Sequence, residues 1–473
     1  MNIRIPEQLN SIARVFCDAG VPVYAVGGLV RNTLLHLPPS DFDLCSSCTP
    51  DALAQLCAGT EVRIIPKAVK FGTVELHAPG GVVTEHTTFR SESYPRGGVH
   101  RPDQVRLGGT VETDAFRRDF SVNALYADLQ TGEVLDPTGG LMDLEAGVLR
   151  TTSADPQDIL GSDALRVLRM VRFAAELGFS IEAHTWAAAV QNAPKLKDIA
   201  AERRREELNK ILLCDGRYLC PLAAQTARNW RNTDIECPEG PGRVITALTR
   251  LTELGAWAAL IPELQKAAGV QQRRDYHRYD VMEHLLRTCA QMPPILELRL
   301  AGLLHDIGKP ACVQQTGRML EHDRYGKEIA RRALAELRYP AAVAQQVVDL
   351  VENHMYDIQD TAKEDTLRVR FALWGRELTE RMIRMREADM RGSGYQTAYM
   401  QLRWRALYEK MLTEGAPFSE RELAVGGKEI SEELGLVPGK DVGRVKRKLF
   451  MHCAKRPQDN NEPCLRRLMH DYQ

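Results

Sequence analysis

Asp41 and Asp43 stand one residue apart, shortly after the run Val26-Gly27-Gly28-Leu29-Val30-Arg31. Carboxylates at i and i+2 of a strand point to one face. There they can jointly hold a hard divalent cation, which takes oxygen ligands and bridges nucleotide phosphates. A Gly-Gly turn lets backbone amides approach a triphosphate, and an arginine can fork onto its oxygens. The chemistry these residues imply is nucleotidyl transfer, with Mg²⁺ clamping the attacking and leaving oxygens. Asp-x-Asp pairs also occur on solvated strand ends and Gly-Gly is often only a turn, so the pair gains its weight from two clusters further along the chain.

In the first of these, Arg117-Arg118-Asp119-Phe120-Ser121-Val122-Asn123-Ala124, two adjacent arginines are expected to face opposite ways on an extended segment. One would meet phosphate while Asp119 and Asn123 fix local geometry; a salt-bridged strand entry fits the same residues. In the second, Asp163, Arg166, Arg169 and Arg172 recur at spacings of three, along one side of a helix. An unpaired buried guanidinium is costly, so this apolar-flanked row is expected to face an anionic ligand. Asp163 and Arg166 also offer a planar donor/acceptor edge that could read a base.

The elements that must carry these clusters change character near Ser153. Before it, Val21–Val26, Asp41–Leu44, Glu61–Ile65, Thr73–Leu76 and Val82–Phe89 read as strands, with short edge strands at Val134–Leu135 and Val148–Thr151. Residues 6–20 read as an amphipathic helix, and Tyr94–Gly109, rich in Gly, Pro and Arg, as a mobile loop. After it, helical periodicity dominates, with a long helix from Ser162 to Leu177 stopped at Gly178 and another over Ala201–Leu213. The chain of 473 residues exceeds one hydrophobic core, so several units are expected. Net charge is −1, but basic residues cluster at Arg203-Arg204-Arg205, at Arg273-Arg274 and from Arg444 to Lys448. Such clusters can track a phosphate backbone, although a solvated helix face explains them equally. Eleven cysteines without framework spacing suit a reducing cytoplasm. Cys45 and Cys48 read as two thiols after a strand rather than a metal or redox pair. No apolar run approaches the roughly 18 residues a membrane span needs, and the N-terminus lacks the apolar core of a signal peptide.

In this order the three clusters resemble the class II tRNA nucleotidyltransferases, the CCA-adding enzymes and related bacterial poly(A) polymerases. The resemblance runs over about residues 20–215: Gly27–Asn32, Asp41–Asp43, Arg117–Ala124, Ser162–Arg166 and Ala201–Leu213. It departs at Asn32 (usually Asp), Ser121 (usually Thr) and Ser162 (usually Glu). The resemblance implies an α+β chain: a polymerase-β-like head with a small mixed sheet over residues 1–152, then all-α parts. These would be a neck (153–215), a body (216–270), a metal-binding domain (271–395) and a tRNA-binding tail (396–473). Asp41 and Asp43 would bind two Mg²⁺ ions and carry catalysis. Gly28 and Arg31, aided by Arg118, would bind the triphosphate. Asp163 and Arg166 would pair with the edge of CTP or ATP, supported by Arg169 and Arg172. A third carboxylate is open between Glu75 and Glu85. The implied activity is untemplated addition of CCA to tRNA 3′ ends. Within the class, the alternatives are a poly(A) polymerase or an enzyme adding only A or only CC.

His284, then His305-Asp306, then His322, His354 and Asp389 resemble the HD superfamily of metal-dependent phosphohydrolases. Mixed imidazoles and carboxylates favour Mn²⁺, Fe²⁺, Ni²⁺, Co²⁺ or Zn²⁺ over Mg²⁺. His284, His305, Asp306 and Asp389 would hold one ion, and His322 and His354 a second. Some members of the nucleotidyltransferase family carry such a domain, linked there to hydrolysis of 2′,3′-cyclic ends. This gives an alternative from another class, a phosphohydrolase whose head only binds RNA. In the tail, Leu436-Val437-Pro438-Gly439-Lys440-Asp441-Val442-Gly443-Arg444 resembles the family's Gly-x-x-Pro-Gly-x-x-Val-Gly segment, a plausible tRNA-backbone contact or simply a helix-hairpin turn.

Overall fold

Short β-rich segments punctuated by Gly and Pro collect near the amino end into one mixed sheet, and helices continue to the carboxyl end. The computed structural model describes residues 1–38, 42–93, 104–217, 242–395 and 398–472; Asp41 lies outside the described residues. The architecture is α+β, divided into two units, Met1–Gln265 and Lys266–Gln473.

In the first unit the strands are β1 (Tyr24–Val26), β2 (Asp43–Ser46), β3 (Arg63–Ala68), β4 (Thr73–Ala78), β5 (Val82–Thr88), β6 (Arg90–Ser93), β7 (Gln104–Leu107), β8 (Tyr126–Asp128), β9 (Val134–Leu135), and β10 (Val148–Leu149) paired parallel with β11 (Ser180–Ile181). Seven form one sheet in the order β3-β4-β5-β2-β1-β8-β9. The β2–β5 pair is parallel and its neighbours β1–β2 and β4–β5 are antiparallel. Strands β6 and β7 pair as a separate antiparallel ribbon. This corrects the expectation of a loop over 94–109: Gln104–Leu107 is strand, because Arg90–Ser93 offers it a pairing edge. The rest of that segment, 94–103, lies outside the described residues.

The helix Asn10–Asp18 buries Ile12 and Phe16, one turn apart on its apolar stripe. Phe16 stacks on His86 of β5 with ring centroids 6.0 Å apart. The long neck helix runs Leu165–Leu177 and stops at Gly178, whose φ of 74° closes the last turn. Asp163 and Ser162 therefore lie just before the helix, not within it. Beyond it come helices Ala183–Asn192, Ala201–Leu212 and Arg243–Glu253.

The second unit is helical. Val281–Gln291, Leu296–Leu304, Lys309–Thr316, His322–Glu336, Ala341–Asn353 and the long Glu364–Gly392 come first. At Gly308 a Cβ would meet the His322 carbonyl oxygen at 2.1 Å and the Gly326 amide at 2.5 Å. Only glycine there lets the segment after His305-Asp306 pass the start of the His322–Glu336 helix. The carboxyl-terminal helices Gly427–Leu434, Lys440–Lys455 and Glu462–Asp471 bury Ile430, Leu449, Phe450, Leu465 and Met469 together. Val437, in the Pro-Gly segment before the basic helix, is exposed. Among the described residues, no helix is long and apolar enough to cross a membrane.

One buried histidine gives the head a pH dependence. His86 is fully buried, its Nε2 lies 2.9 Å from Ser46 Oγ, and burial lowers its pKa to about 4. Below the unfolded value of about 6.5 the unfolded chain binds this proton and the folded chain resists it. The contribution, on the order of 3 kcal/mol by linkage, is therefore complete above about pH 6.5 and lost as pH falls towards 4. Native-state hydrogen exchange at β2 and β5 should show wild-type protection weakening between pH 7 and 5. A His86→Gln chain should show a flatter dependence; equal slopes would contradict the assignment.

Candidate active sites

In the head, β1 ends at Gly27, whose φ of 68° and ψ of −123° turn the chain directly into the helix Gly28–Leu34. A side chain at Gly27 would approach the Asn123 carbonyl oxygen at 3.7 Å and Arg118 Nη1 at 3.9 Å. The second cluster thus packs against the Gly-Gly turn. Strand β2 starts at exposed Asp43. Leu44 is opposite Ala25, so Asp43 lies at the Gly27 end of the sheet.

The β2–β5 register sets Asp43 beside Glu85, and Glu85 beside Glu75 one strand further. Paired residues on adjacent strands share a face. At roughly 4.8 Å per strand, Glu85 is one spacing and Glu75 two spacings from Asp43. Lys67 Nζ lies 2.6 Å from Glu85 and 3.2 Å from Glu75, whose other oxygen is 3.2 Å from His77. The two chemically equivalent glutamates are therefore distinguished by the pairing, which the sequence did not reveal.

The second cluster is a turn rather than an extended strand, and its arginines do not face opposite ways. Both converge on Asp114, which is fully buried at the end of the helix Val111–Ala115. Arg117 donates to one carboxylate oxygen. Arg118 and the Tyr126 hydroxyl share the other, at 3.0 and 2.8 Å. Burial opposes ionisation of Asp114, but Arg118 and Arg117 hold its pKa below the usual carboxylate value. A buried anion needs such partners, which is why both guanidiniums turn towards it. Asp114 was missed because nothing near it in the sequence marks it as a hub.

Asp119 accepts from Arg169 Nε at 2.7 Å and from Asn123 Nδ2 at 3.2 Å. Burial pushes its pKa up, yet Arg169 and Arg166 hold it at about 2. Asn123 passes the contact on by accepting from Arg31. Arg31 is buried, also donates to Asn32 Oδ1, and lies 5.1 Å from the Phe173 ring centroid.

The arginine row of the neck helix does not face one external anion. Arg172 is buried against Glu207 at 2.7 Å and Glu176 at 3.1 Å, and the half-buried Arg169 pairs with Asp119 at 2.6 Å. The protein itself supplies the anions that the row demands, Glu207 from the helix Ala201–Leu212. Only Asp163 and Arg166 remain at the row's amino end. Asp163 accepts from the Leu165 amide at 3.0 Å and sits 3.6 Å from Arg203. Arg166 donates to the carbonyls of Arg117 and Ile159 and to Ser162 Oγ at 2.8, 3.1 and 3.3 Å. That uses three of its five N–H donors in fixed positions.

The second unit brings all six sequence-marked histidines and aspartates to one place. His284 Nε2 lies 3.0 Å from Asp389, 3.3 Å from Asp306 and 3.1 Å from His305 Nε2. Asp306 turns its other oxygen to His322 at 2.9 Å and His354 at 3.5 Å. His305, His322 and His354 each set Nδ1 against a backbone carbonyl, at 3.0, 2.7 and 2.7 Å. Their Nε2 atoms are thereby left as acceptors facing inward. Lys309 also meets Asp306. The donor set fits two overlapping metal positions, His284/His305/Asp306 and Asp306/His322/His354, with Asp389 completing the first.

A glycine turn, an aspartate-led strand and a paired glutamate stand together in the head, and a buried histidine–aspartate cluster with the donor set of a metal site stands in the helical unit. Residues 23–150 match the poly A polymerase head domain, and residues 274–390 match the HD domain. Residues 178–219 match the probable RNA and SrmB-binding site of polymerase A. The chain is 42% identical over 195 residues to the CCA-adding enzyme of Lactiplantibacillus plantarum, covering 41% of this chain and 46% of that protein. It is 39% identical over 259 residues to that of Levilactobacillus brevis, covering 52% and 63%. The chain thus spans about half the length of the curated relatives it matches. Among solved structures, it resembles the Bacillus stearothermophilus CCA-adding enzyme in complex with CTP, at a TM-score of 0.66 and 24% identity over 99% of this chain and 98% of that one. It also resembles the Thermotoga maritima CCA-adding enzyme complexed with tRNA, at 0.60 and 16% over the full length of both. At these identities the likeness is one of fold.

Proposed function

We propose that this protein adds cytidine, cytidine and adenosine to the 3′ end of tRNA from CTP and ATP. The observation that carries the reading is the placement of Asp43 beside Glu85 at the Gly27 turn. Its support is the head-domain family match and the relatives named CCA-adding enzymes. Asp41, Asp43 and Glu85 would hold Mg²⁺, which when bound lowers the pKa of the RNA 3′-hydroxyl and neutralises the leaving pyrophosphate. The chain's own residues do the rest. The Gly28 turn and Arg118, braced by Asp114, hold the triphosphate, with Arg31 behind them. Asp163 and Arg166 present a carboxylate beside fixed N–H donors, a protein edge that pairs with cytosine or adenine. Arg169 and Arg172, tied to Asp119, Glu207 and Glu176, keep that edge in register with the turn. The neck over 153–215 and the tail over 396–473 carry the tRNA, which attacks the α-phosphorus in line through its 3′-hydroxyl.

Incorporation of labelled CTP and ATP into tRNAs ending before C, CC or CCA tests this. Ordered addition of C, C and A supports it. Long tails from ATP alone would overturn it in favour of a poly(A) polymerase. Arg166→Ala is expected to reduce the preference for CTP and ATP over UTP and GTP by about tenfold or more, the loss of one bidentate contact. An unchanged preference would remove the base-reading role.

The convergence of six ligating residues favours a second activity, metal-dependent phosphoester hydrolysis in the helical unit. His284, His305, Asp306 and Asp389 would hold one ion and His322 and His354 a second, from among Mn²⁺, Ni²⁺, Co²⁺, Fe²⁺ and Zn²⁺. Bound there, the metal would supply a nucleophilic hydroxide at neutral pH. Release of phosphate that survives Asp43→Ala but not Asp306→Ala is its signature.

A further inference from the structure

Beside the histidine–aspartate cluster the second unit has an open cleft of about 240 Å³, lined by Gln272, Arg274, His277, Arg278, Tyr279 and Tyr395 among others. Neither activity above assigns it a role. Its charge is one-sided. Arg273 is neutralised by Asp275 at 2.9 Å, whereas among the described residues no carboxylate forms an ion pair with Arg274 or Arg278. Arg278 instead lies 5.0 Å from the Tyr395 ring centroid.

The arginines are carried on an anchored wall. The Arg278 amide donates to the Ser393 carbonyl at 3.0 Å, and the Tyr395 hydroxyl donates to the Arg274 carbonyl. Gly394 sits so close that a Cβ would meet the Tyr279 ring at 2.6 Å. Its Ser393–Tyr395 side comes directly after the helix Glu364–Gly392 that carries Asp389.

Two contacts tie the cleft to the cluster. The His277 ring packs edge-on against His284, with centroids 4.5 Å apart. Lys309 Nζ donates to Gln272 Oε1 at 2.6 Å and also meets Asp306. A ligand seated on the arginines therefore lies next to the groups that would hold the metal.

We propose that this cleft is a docking subsite for the phosphoester of a nucleotide, with Arg274 and Arg278 forking onto the phosphate and the tyrosines and glutamines meeting the nucleoside. Guanidinium forks match phosphate oxygens, and aromatic rings supply contact area with a polar edge. The volume suits one terminal nucleotide and not a folded RNA element. The inference rests on the hydrolytic reading of the cluster for its purpose, but its binding claim is measured separately.

The full chain, with excess CTP to hold the head's own site, is titrated calorimetrically with adenosine 3′-monophosphate. Arg274→Ala/Arg278→Ala should weaken binding about tenfold or more, the scale of one lost charge-assisted contact. Arg274→Lys/Arg278→Lys should recover part of the affinity, and unchanged thermal unfolding midpoints exclude misfolding. Equal affinity in wild type and the alanine variant overturns the subsite. In parallel, hydrolysis of the mononucleotide and of an oligoribonucleotide ending in a 3′-phosphate is followed with Mn²⁺, Ni²⁺ or Co²⁺. A raised KM with kcat retained supports the subsite, and the substrate on which it appears shows whether an RNA end or a free nucleotide is taken. If wild type hydrolyses neither substrate, the hydrolytic reading fails while the calorimetric comparison still decides the binding site.

Discussion

Asp43→Ala should lower nucleotide addition by about 10³-fold or more, equivalent to about 4 kcal/mol of transition-state stabilisation, and leave the chain folded. The structural half of this expectation comes from position. Asp43 opens β2 as an exposed residue while Leu44, Cys45 and Ser46 behind it are buried. Truncating an exposed side chain at a strand end removes little buried surface, so the chain should stay folded. The functional half comes from charge: without this carboxylate a cation held there would lose a ligand that water replaces poorly. Glu85→Ala should cost about tenfold to a hundredfold, and Glu75→Ala less than about threefold, because the sheet spacing puts only Glu85 next to Asp43. Single-turnover incorporation of labelled CTP into a tRNA lacking CCA reads all three. Residual addition above a tenth of wild type in Asp43→Ala, or a larger defect in Glu75→Ala than in Glu85→Ala, would count against the metal site as drawn.

That order among the carboxylates shows what the sequence could and could not disclose. Asp43 at a strand start, the Gly-Gly turn and the meeting of the six histidines and aspartates were legible because spacing or order along the chain marks them. Glu75 and Glu85 were not separable, because their difference lies in strand pairing between β2 and β5, and strand neighbours are set by the whole sheet. The arginine row was half legible. Burial required anions, as expected, but these are Asp119, Glu176 and Glu207, two of them tens of residues from their arginines. Asp114 was invisible for the same reason: its value comes from being buried where Arg117, Arg118 and Tyr126 meet. Periodicity located the neck helix and its glycine stop, but placed its start too early, since Asp163 caps the Leu165 amide from outside. The ribbon of β6 and β7 was lost to composition, because Gly, Pro and Arg obscure a strand whose partner is Arg90–Ser93.

The other large effect belongs to Asp306, whose two oxygens face different histidine pairs. Oδ2 addresses His284 and His305, and Oδ1 addresses His322 and His354. A carboxylate so placed would serve both candidate metal positions, so removing it should empty both. Elemental analysis of the purified chain should find about two ions in wild type, about one in His354→Ala and near none in Asp306→Ala, in step with the ligand count at each position. Phosphoester hydrolysis in Asp306→Ala should fall by about 10³-fold, since the residues that would hold the metal, and with it a source of hydroxide at neutral pH, lose their shared ligand. The substitution also strands Lys309, whose buried ammonium meets Asp306, and an uncompensated buried charge costs about 3–5 kcal/mol. Asp306→Asn separates these consequences. It keeps the shape and offers Lys309 a carbonyl oxygen, yet lacks the charge that would serve two cations. Its unfolding midpoint should therefore lie between wild type and Asp306→Ala while its metal content matches the alanine variant. Two ions retained in Asp306→Asn would mean that the histidines hold them independently and that Asp306 serves Lys309 alone.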